Sequence, residues 1–124
     1  MADPLIECVP NFSEGRDAEI VNAIEQSIQS APGVTVLRSE MDRDHNRAVI
    51  TFIGSPTAIA QGALRGIASA TERIDLRRHI GVHPRIGAAD VVPFVPLQNA
   101  TLEDCAGIAH QVGESIWKEL GVPV

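Results

Sequence analysis

The spacing of apolar residues changes several times along the chain, and each change marks an element. Leu5 to Val9 is a short apolar-rich run that predicts a first strand, leading into a turn-rich segment, Pro10-Asn11-Phe12-Ser13-Glu14-Gly15. Ile20, Val21, Ile24 and Ile28 then fall at i, i+1, i+4 and i+8, one face of a helix whose end is signalled by Pro32-Gly33. Val34 to Leu37 and Ala48 to Ile53 are β-branched runs and predict the second and third strands. Between them, Arg38 to Arg47 reads as a polar linker, long for a tight hairpin. Ser55-Pro56 places an N-cap residue before a proline at the first helical position, and Ile59, Ala63, Ile67 and Ala70 continue a helix to about Ile74. The stretch Arg77 to Ala89 is broken by Gly81, Pro84 and Gly87 and predicts an irregular connection. Val91 to Leu97 follows as a strand which Pro93 and Pro96 confine to a sheet edge or a bulge. Thr101 caps a last helix, Leu102 to Leu120, stopped by Gly121, and Val122-Pro123-Val124 begins another extended piece.

The order is strand, helix, strand, strand, helix, strand, helix, strand. Its first six elements match the split βαβ pattern, so the expected fold class is α+β. The architecture is a ferredoxin-like βαββαβ sandwich with an additional C-terminal helix and strand, the helices on one face of a mainly antiparallel sheet. At 124 residues the chain fits a single domain, 1–124.

Composition narrows the function classes. The chain is 44% hydrophobic and 21% charged, an ordinary balance for a soluble globular domain. A net charge of -6 argues against a general nucleic-acid surface. Basic residues are nevertheless clustered: Arg73, Arg77, Arg78 and Arg85 stand close together, with Asp75 as the acidic counterweight. Planar guanidinium groups bind carboxylate or phosphate bidentately, so the cluster suits a small anionic ligand as well as a solvated helix end. Cys8 and Cys105 form no disulfide framework or metal motif; the first residues lack a leader's basic flank and apolar run and no apolar run reaches membrane length, so neither export nor membrane insertion is expected. A reducing, cytoplasmic setting is expected, with no membrane partner.

Four segments carry candidate chemistry. Asn11 and Ser13 offer donors and acceptors after the first strand, with helix capping as the structural role open to Ser13. In Asp42-Arg43-Asp44-His45-Asn46-Arg47, Arg47 stands at a strand entry, where a rigid backbone can aim its guanidinium at a carboxylate. A charge-paired, solvated loop is the other reading of that segment. In Arg77-Arg78-His79-Ile80-Gly81-Val82-His83-Pro84-Arg85, the flanking arginines favour neutral histidine, the form that accepts a proton. His79 and His83 are four apart, but Gly81 and Pro84 oppose the helix a metal pair would need, so no metal is expected. Asp90, the fourth, either orients a histidine or balances Arg85.

Together ECVPNFSEGR, DHNRAVITFIG, HIGVHPRIGAADVVPFVP and the closing ELGVPV resemble the N-terminal subdomain of the formiminotransferase family, which is also found fused to cyclodeaminase. The similarity runs in order over essentially the whole chain. It implies transfer of a formimino group from N-formiminoglutamate to tetrahydrofolate, in the terminal part of histidine degradation. Tetrahydrofolate is then a co-substrate, and similar proteins move a formyl group.

By the same resemblance the histidine of the HPR motif, His83, is catalytic. Asn46 and Arg47 match the family's NR pair, Asn11 matches the asparagine of VPNFSEG, and Arg85 joins the substrate- or folate-binding set. The acidic residue beside the histidine falls on Glu40, where better-known members carry aspartate, with Asp42 and Asp44 as alternatives. Folate nitrogen must lose a proton as it attacks, and the departing glutamate nitrogen must gain one. A single neutral histidine does both in turn. Two such subdomains flank the family's folate groove, and this chain carries the first. The expected partners are therefore the small-molecule substrates together with a homodimer mate or a separate second subdomain. A folate- or anion-binding module without turnover is the alternative, and a small-ligand regulatory module unrelated to folate a weaker one.

Overall fold

Ser55 and Thr101 cap their helices as the sequence predicts, whereas the first helix is capped by Asp17 and not by Ser13. The computed structural model describes residues 3–74 and 88–121. Helix α1, Ala18–Gln29, begins after Asp17, whose side chain accepts the Glu19 N–H at 3.0 Å. Helix α2, Pro56–Arg73, begins after Ser55, whose hydroxyl accepts the Ala58 N–H at 3.2 Å. Helix α3, Leu102–Ser115, carries a reciprocal capping box. Thr101 Oγ1 accepts from Asp104 N–H at 3.1 Å, and the Asp104 carboxylate accepts from Thr101 N–H at 2.9 Å. The helical path continues through a π-helical turn, Ile116–Leu120, and ends at Gly121, whose left-handed φ of 68° suits a glycine stop.

Among the described residues six strands form one sheet: β1 Leu5–Cys8, β2 Asn11–Phe12, β3 Thr35–Asp42, β4 Arg47–Gly54, β5 Ala89–Val91 and β6 Phe94–Gln98. All pairings are antiparallel. The order is β5-β2-β4-β1-β6, with β3 on the other side of β4. Strands β1 and β2 thus lie end to end along one side of β4, and β6 and β5 lie end to end beside them.

Three expectations from the sequence change here. The segment Pro10–Gly15 does not turn at once, because Asn11 and Phe12 pair with Val49 and Ala48. Pro10 has no N–H to give, but its carbonyl accepts from Ile50 N–H at 3.2 Å, so the ladder survives the proline. The linker 38–47 is mostly strand: β3 runs to Asp42, and only 43–46 turns. At a sheet edge wetted on both faces, polar Arg38, Ser39 and Glu40 are compatible with a strand. The strand expected at 91–97 is two strands separated at Val92-Pro93. This break aligns with that between β1 and β2, since Val9 N–H donates to Pro93 O at 3.2 Å.

One face of the sheet is covered by α1, α2 and α3. Ile6, Cys8, Phe12, Ile50 and Phe52 point into that side and are at most 1% exposed. They meet Ile24 and Ile28 of α1, Ile59 and Ile67 of α2, and Ile108 and Val112 of α3 in one core. Gly66 lets α2 approach α1, because a β-carbon there would stand 2.7 Å from Ile28. The alternate residues point the other way. Leu5, Glu7, Val49 and Ile53 are only half-buried, and Val91 and Val95 are exposed. Among the described residues no helix lies over this second face.

Candidate active site on the open sheet face

Two of the segments singled out in the sequence interlock at one end of the sheet. After β2 the chain presses Gly15 into the mouth of the β3–β4 hairpin. A β-carbon at Gly15 would stand 2.3 Å from Asp42 O, 2.4 Å from Arg47 N and 2.5 Å from Arg47 O, so only glycine fits. The Gly15 N–H donates to Asn46 Oδ1 at 2.8 Å, a buried hydrogen bond between the two segments. Asn46 is 6% exposed and holds a left-handed φ of 49°, a conformation asparagine tolerates better than most residues. Arg16 Nε donates to Arg43 O at 2.9 Å, a further tie between loop and hairpin. The Glu14 carboxylate accepts from Arg16 and Asp17 N–H, both at 3.0 Å, leading the chain into α1.

The hairpin turn is closed by a carboxylate and a histidine. Asp42 Oδ1 accepts from His45 N–H at 3.1 Å, and its Oδ2 lies 2.7 Å from His45 Nδ1. The backbone N–H of His45 does most to hold the Asp42 carboxyl below its ordinary 3.8, and the His45 ring adds to it against a smaller opposing effect of burial.

Strand register decides which candidate side chains share a surface. Glu40 is opposite Val49, Val49 opposite Asn11, and Asn11 opposite Val91, a row that crosses four strands. Asp42 is opposite Arg47 in the next row of that face. Because side chains alternate along a strand, Asn11, Glu40, Asp42 and Arg47 all belong to the open face, away from the helices. Asn11 Nδ2 donates to Val9 O at 3.2 Å, which fixes its amide. Arg38 lies 3.9 Å from Glu40, but both side chains are two-thirds exposed, so the pair contributes little. Arg47 differs from these: its Nε is buried and has no hydrogen-bond partner among the described residues. A buried guanidinium donor left in that condition costs about 1–3 kcal/mol or more, and an entering carboxylate would relieve the cost.

Of the residues marked in the sequence, Asn11, Glu40 and Arg47 come together on this face. Asn46 does not join them through its Oδ1, which is committed to Gly15. Asp44 lies in the exposed hairpin turn. His83 and Arg85, with His79, lie outside the described residues. The following segment resumes at Ala88, whose carbonyl accepts from Ser13 N–H at 2.8 Å, beside β2. Two contributions escape the sequence reading: the close approach at Gly15 and the Asp42–His45 contact. An aspartate three residues before a histidine in a polar turn was the signal for the second. Neither cysteine is available as a nucleophile, since Cys8 and Cys105 are buried and burial pushes both thiols up. Among the described residues no three His, Cys, Asp or Glu side chains converge as a metal-binding group would.

The sequence pattern described as the formiminotransferase domain, N-terminal subdomain, matches residues 5–124. A glutamate formimidoyltransferase of Thermoplasma acidophilum is 51% identical over 120 residues, covering 97% of this chain and 40% of that protein. A formimidoyltransferase-cyclodeaminase of Gallus gallus is 48% identical over 120 residues, covering 97% of this chain and 22% of that protein. More distantly, a formiminotransferase cyclodeaminase-like protein of Arabidopsis thaliana is 26% identical over 121 residues, covering 94% of this chain and 41% of that protein. The chain therefore spans less than half the length of these relatives, and it belongs to the formiminotransferase N-terminal subdomain family.

Proposed function

We propose that this chain supplies half of the site of a glutamate formimidoyltransferase, in which N-formiminoglutamate donates its formimino group to tetrahydrofolate. The folate nitrogen attacks the formimino carbon, the bond from that carbon to the glutamate nitrogen breaks, and one proton passes between the two nitrogens. In this reading His83 takes the proton from folate and returns it to the leaving glutamate. Arg47 and Arg85 bind carboxylates, Asn11 orients the substrate, and Glu40 is the acidic residue beside the histidine. The observation that carries the proposal is Arg47, whose buried Nε has no partner among the described residues and shares the open face with Asn11 and Glu40. Both substrates bear glutamate carboxylates, the group a guanidinium in that setting is suited to receive.

A second subdomain lying over the open face would complete a groove, supplied by a separate chain or by a second copy of this one. The sheet is also read as ferredoxin-like. With β1–β2 and β5–β6 each taken as one ribbon, its order becomes fourth, first, third, second, the arrangement expected for that fold. Two buried free thiols suit a reducing, cytoplasmic location.

The test is a formimino-transfer assay on the chain with and without a separately expressed second subdomain, using wild type and His83→Ala. The expected result is turnover by the pair and a loss of about 10²- to 10⁴-fold with His83→Ala. Wild-type turnover by the variant would remove His83 from the role. The coverage of relatives favours one other reading, a folate-binding half without turnover of its own. Saturable folate binding with no transfer, even with the second subdomain present, would select it.

A further inference from the structure

We propose that the outer side of the α1–α2 pair carries a second anion site, built for a compact oxyanion of the hydrogen-phosphate class. It lies on the far side of the helical layer from the open sheet face. An open depression of about 350 Å3 there is lined by Ser27, Ser30, Arg65, Ser69, Glu72 and Arg73. Arg65, Ser69 and Arg73 follow one another at i, i+4 and i+8 on α2, which stacks them in one stripe facing the last turn of α1.

Both guanidinium groups are oriented by neutral hydroxyls. Arg73 Nε donates to Ser69 Oγ at 3.2 Å, and Ser69 is itself only 5% exposed. Arg65 Nη1 donates to Ser30 Oγ across the helix pair at 3.0 Å. Ser30 in turn donates to Ser27 O at 2.6 Å, so its lone pairs face the arginine. Among the described residues neither arginine has a carboxylate within ion-pair distance. In a protein of net charge -6, two cations held by hydroxyls against the single carboxylate of Glu72, which pairs with neither, form a local basic spot among the described residues. Each keeps most of its N–H donors for a ligand.

Glu72 selects the class of ligand. An ionised carboxylate only accepts hydrogen bonds, so beside two arginines it repels an oxyanion that has no proton. An oxyanion carrying its own O–H fits all three groups: its charged oxygens take the guanidinium donors and its hydroxyl donates to Glu72. Hydrogen phosphate and phosphate monoesters between their two ionisations meet that requirement, and sulfate does not.

The experiment is an amide-resolved NMR titration of the full chain at constant ionic strength with inorganic phosphate, glycerol 3-phosphate and sulfate, repeated on Arg65→Ala, Arg73→Ala, Glu72→Gln and Arg47→Ala. Saturable shifts at residues 27–30 and 65–73 are expected with phosphate. They should weaken about tenfold or more in each Arg65 and Arg73 variant, as for loss of a charge-assisted hydrogen bond, and persist in Arg47→Ala. Sulfate should bind more weakly than phosphate in wild type, and the gap should narrow in Glu72→Gln. Tighter binding of the monoester identifies an organic phosphate as the ligand, and equal or weaker binding identifies the free ion. Arg65→Lys and Arg73→Lys serve if an alanine variant is unfolded, and they too should bind more weakly. Absence of saturable shifts, shifts centred on Arg47, insensitivity to both arginine variants, or equal binding of sulfate and phosphate in wild type would each overturn the proposal.

Discussion

Replacing Gly15 by alanine tests whether the two site segments are held together by backbone contact. The added β-carbon would meet Asp42 O at 2.3 Å, Arg47 N at 2.4 Å and Arg47 O at 2.5 Å. All three are backbone atoms of a paired hairpin, so no side-chain rotation relieves the clash. The loop must lift. Overpacking of this kind costs about 1–3 kcal/mol. Lifting also parts the Gly15 N–H from Asn46 Oδ1 at a buried position, which adds about 1–3 kcal/mol for groups left unsatisfied. The expected loss is about 2–6 kcal/mol, and at about 4 °C per kcal/mol for a domain of this size the melting midpoint falls by roughly 8–24 °C. Gly107→Ala is the matched control. It lies inside α3 with nothing within 4 Å of an added β-carbon, and the change should stabilise by about 0.5–1 kcal/mol. Thermal melts followed by circular dichroism compare the two. Asn46→Ala should cost much on its own but little more in the Gly15→Ala background, where their shared bond is already broken. A Gly15→Ala midpoint equal to wild type, or strictly additive losses in the double variant, would refute the reasoning.

Three further outcomes are expected. Asp42 has a folded-state acidity below the ordinary 3.8, so its contribution is present above that value and is lost as pH falls through the folded one. Melting midpoints measured down to strongly acidic pH should therefore fall more steeply below about pH 4 in wild type than in Asp42→Asn, and parallel curves would exclude it. Thr101→Ala removes the hydroxyl half of the α3 capping box and should cost about 1 kcal/mol in chemical denaturation, with an unchanged midpoint as the contrary result. Sedimentation over a concentration series should show self-association through the uncovered sheet face, weakened by Val95→Lys on that face. A monomer at every concentration would count against it.

Local signals in the sequence carried the helices well, because caps are local. Ser55-Pro56 and Thr101 each specify a helix start through groups within three residues, and each is where its helix begins. Buried strand β4 was equally legible, since Val49 to Ile53 has little other conformational option. The edge strand was not. Arg38, Ser39 and Glu40 read as a loop because their pairing energy comes from β4, a partner that local composition does not display. The same limitation applied at Asn11-Phe12, where a proline and three turn-forming residues conceal a two-residue strand. At the candidate site, residue types pointed to Asn11 and Arg47 and the family resemblance to Glu40, but their common face depends on register across separate strands. Asn46 enters the binding set through the resemblance, and the commitment of its oxygen to Gly15, a contact 31 residues away in sequence, is visible only in the structure.

The aligned prolines bear on how copies of this protein meet. A growing β-aggregate needs an unbroken run of N–H and C=O groups along a free strand edge. The ribbon made by β5 and β6 breaks its run at Pro93, and Pro96 offers no N–H to either side. The opposite border, β3, carries Arg38 and Glu40 and a register irregularity between Val36 and Arg38, which places charge and a kink where another strand would have to lie flat. Both borders therefore resist endless strand-by-strand stacking, while among the described residues no helix lies over the broad face between them. Edges of this kind disfavour fibrils, so exposed apolar side chains such as Val91 and Val95 need not make the protein amyloid-prone.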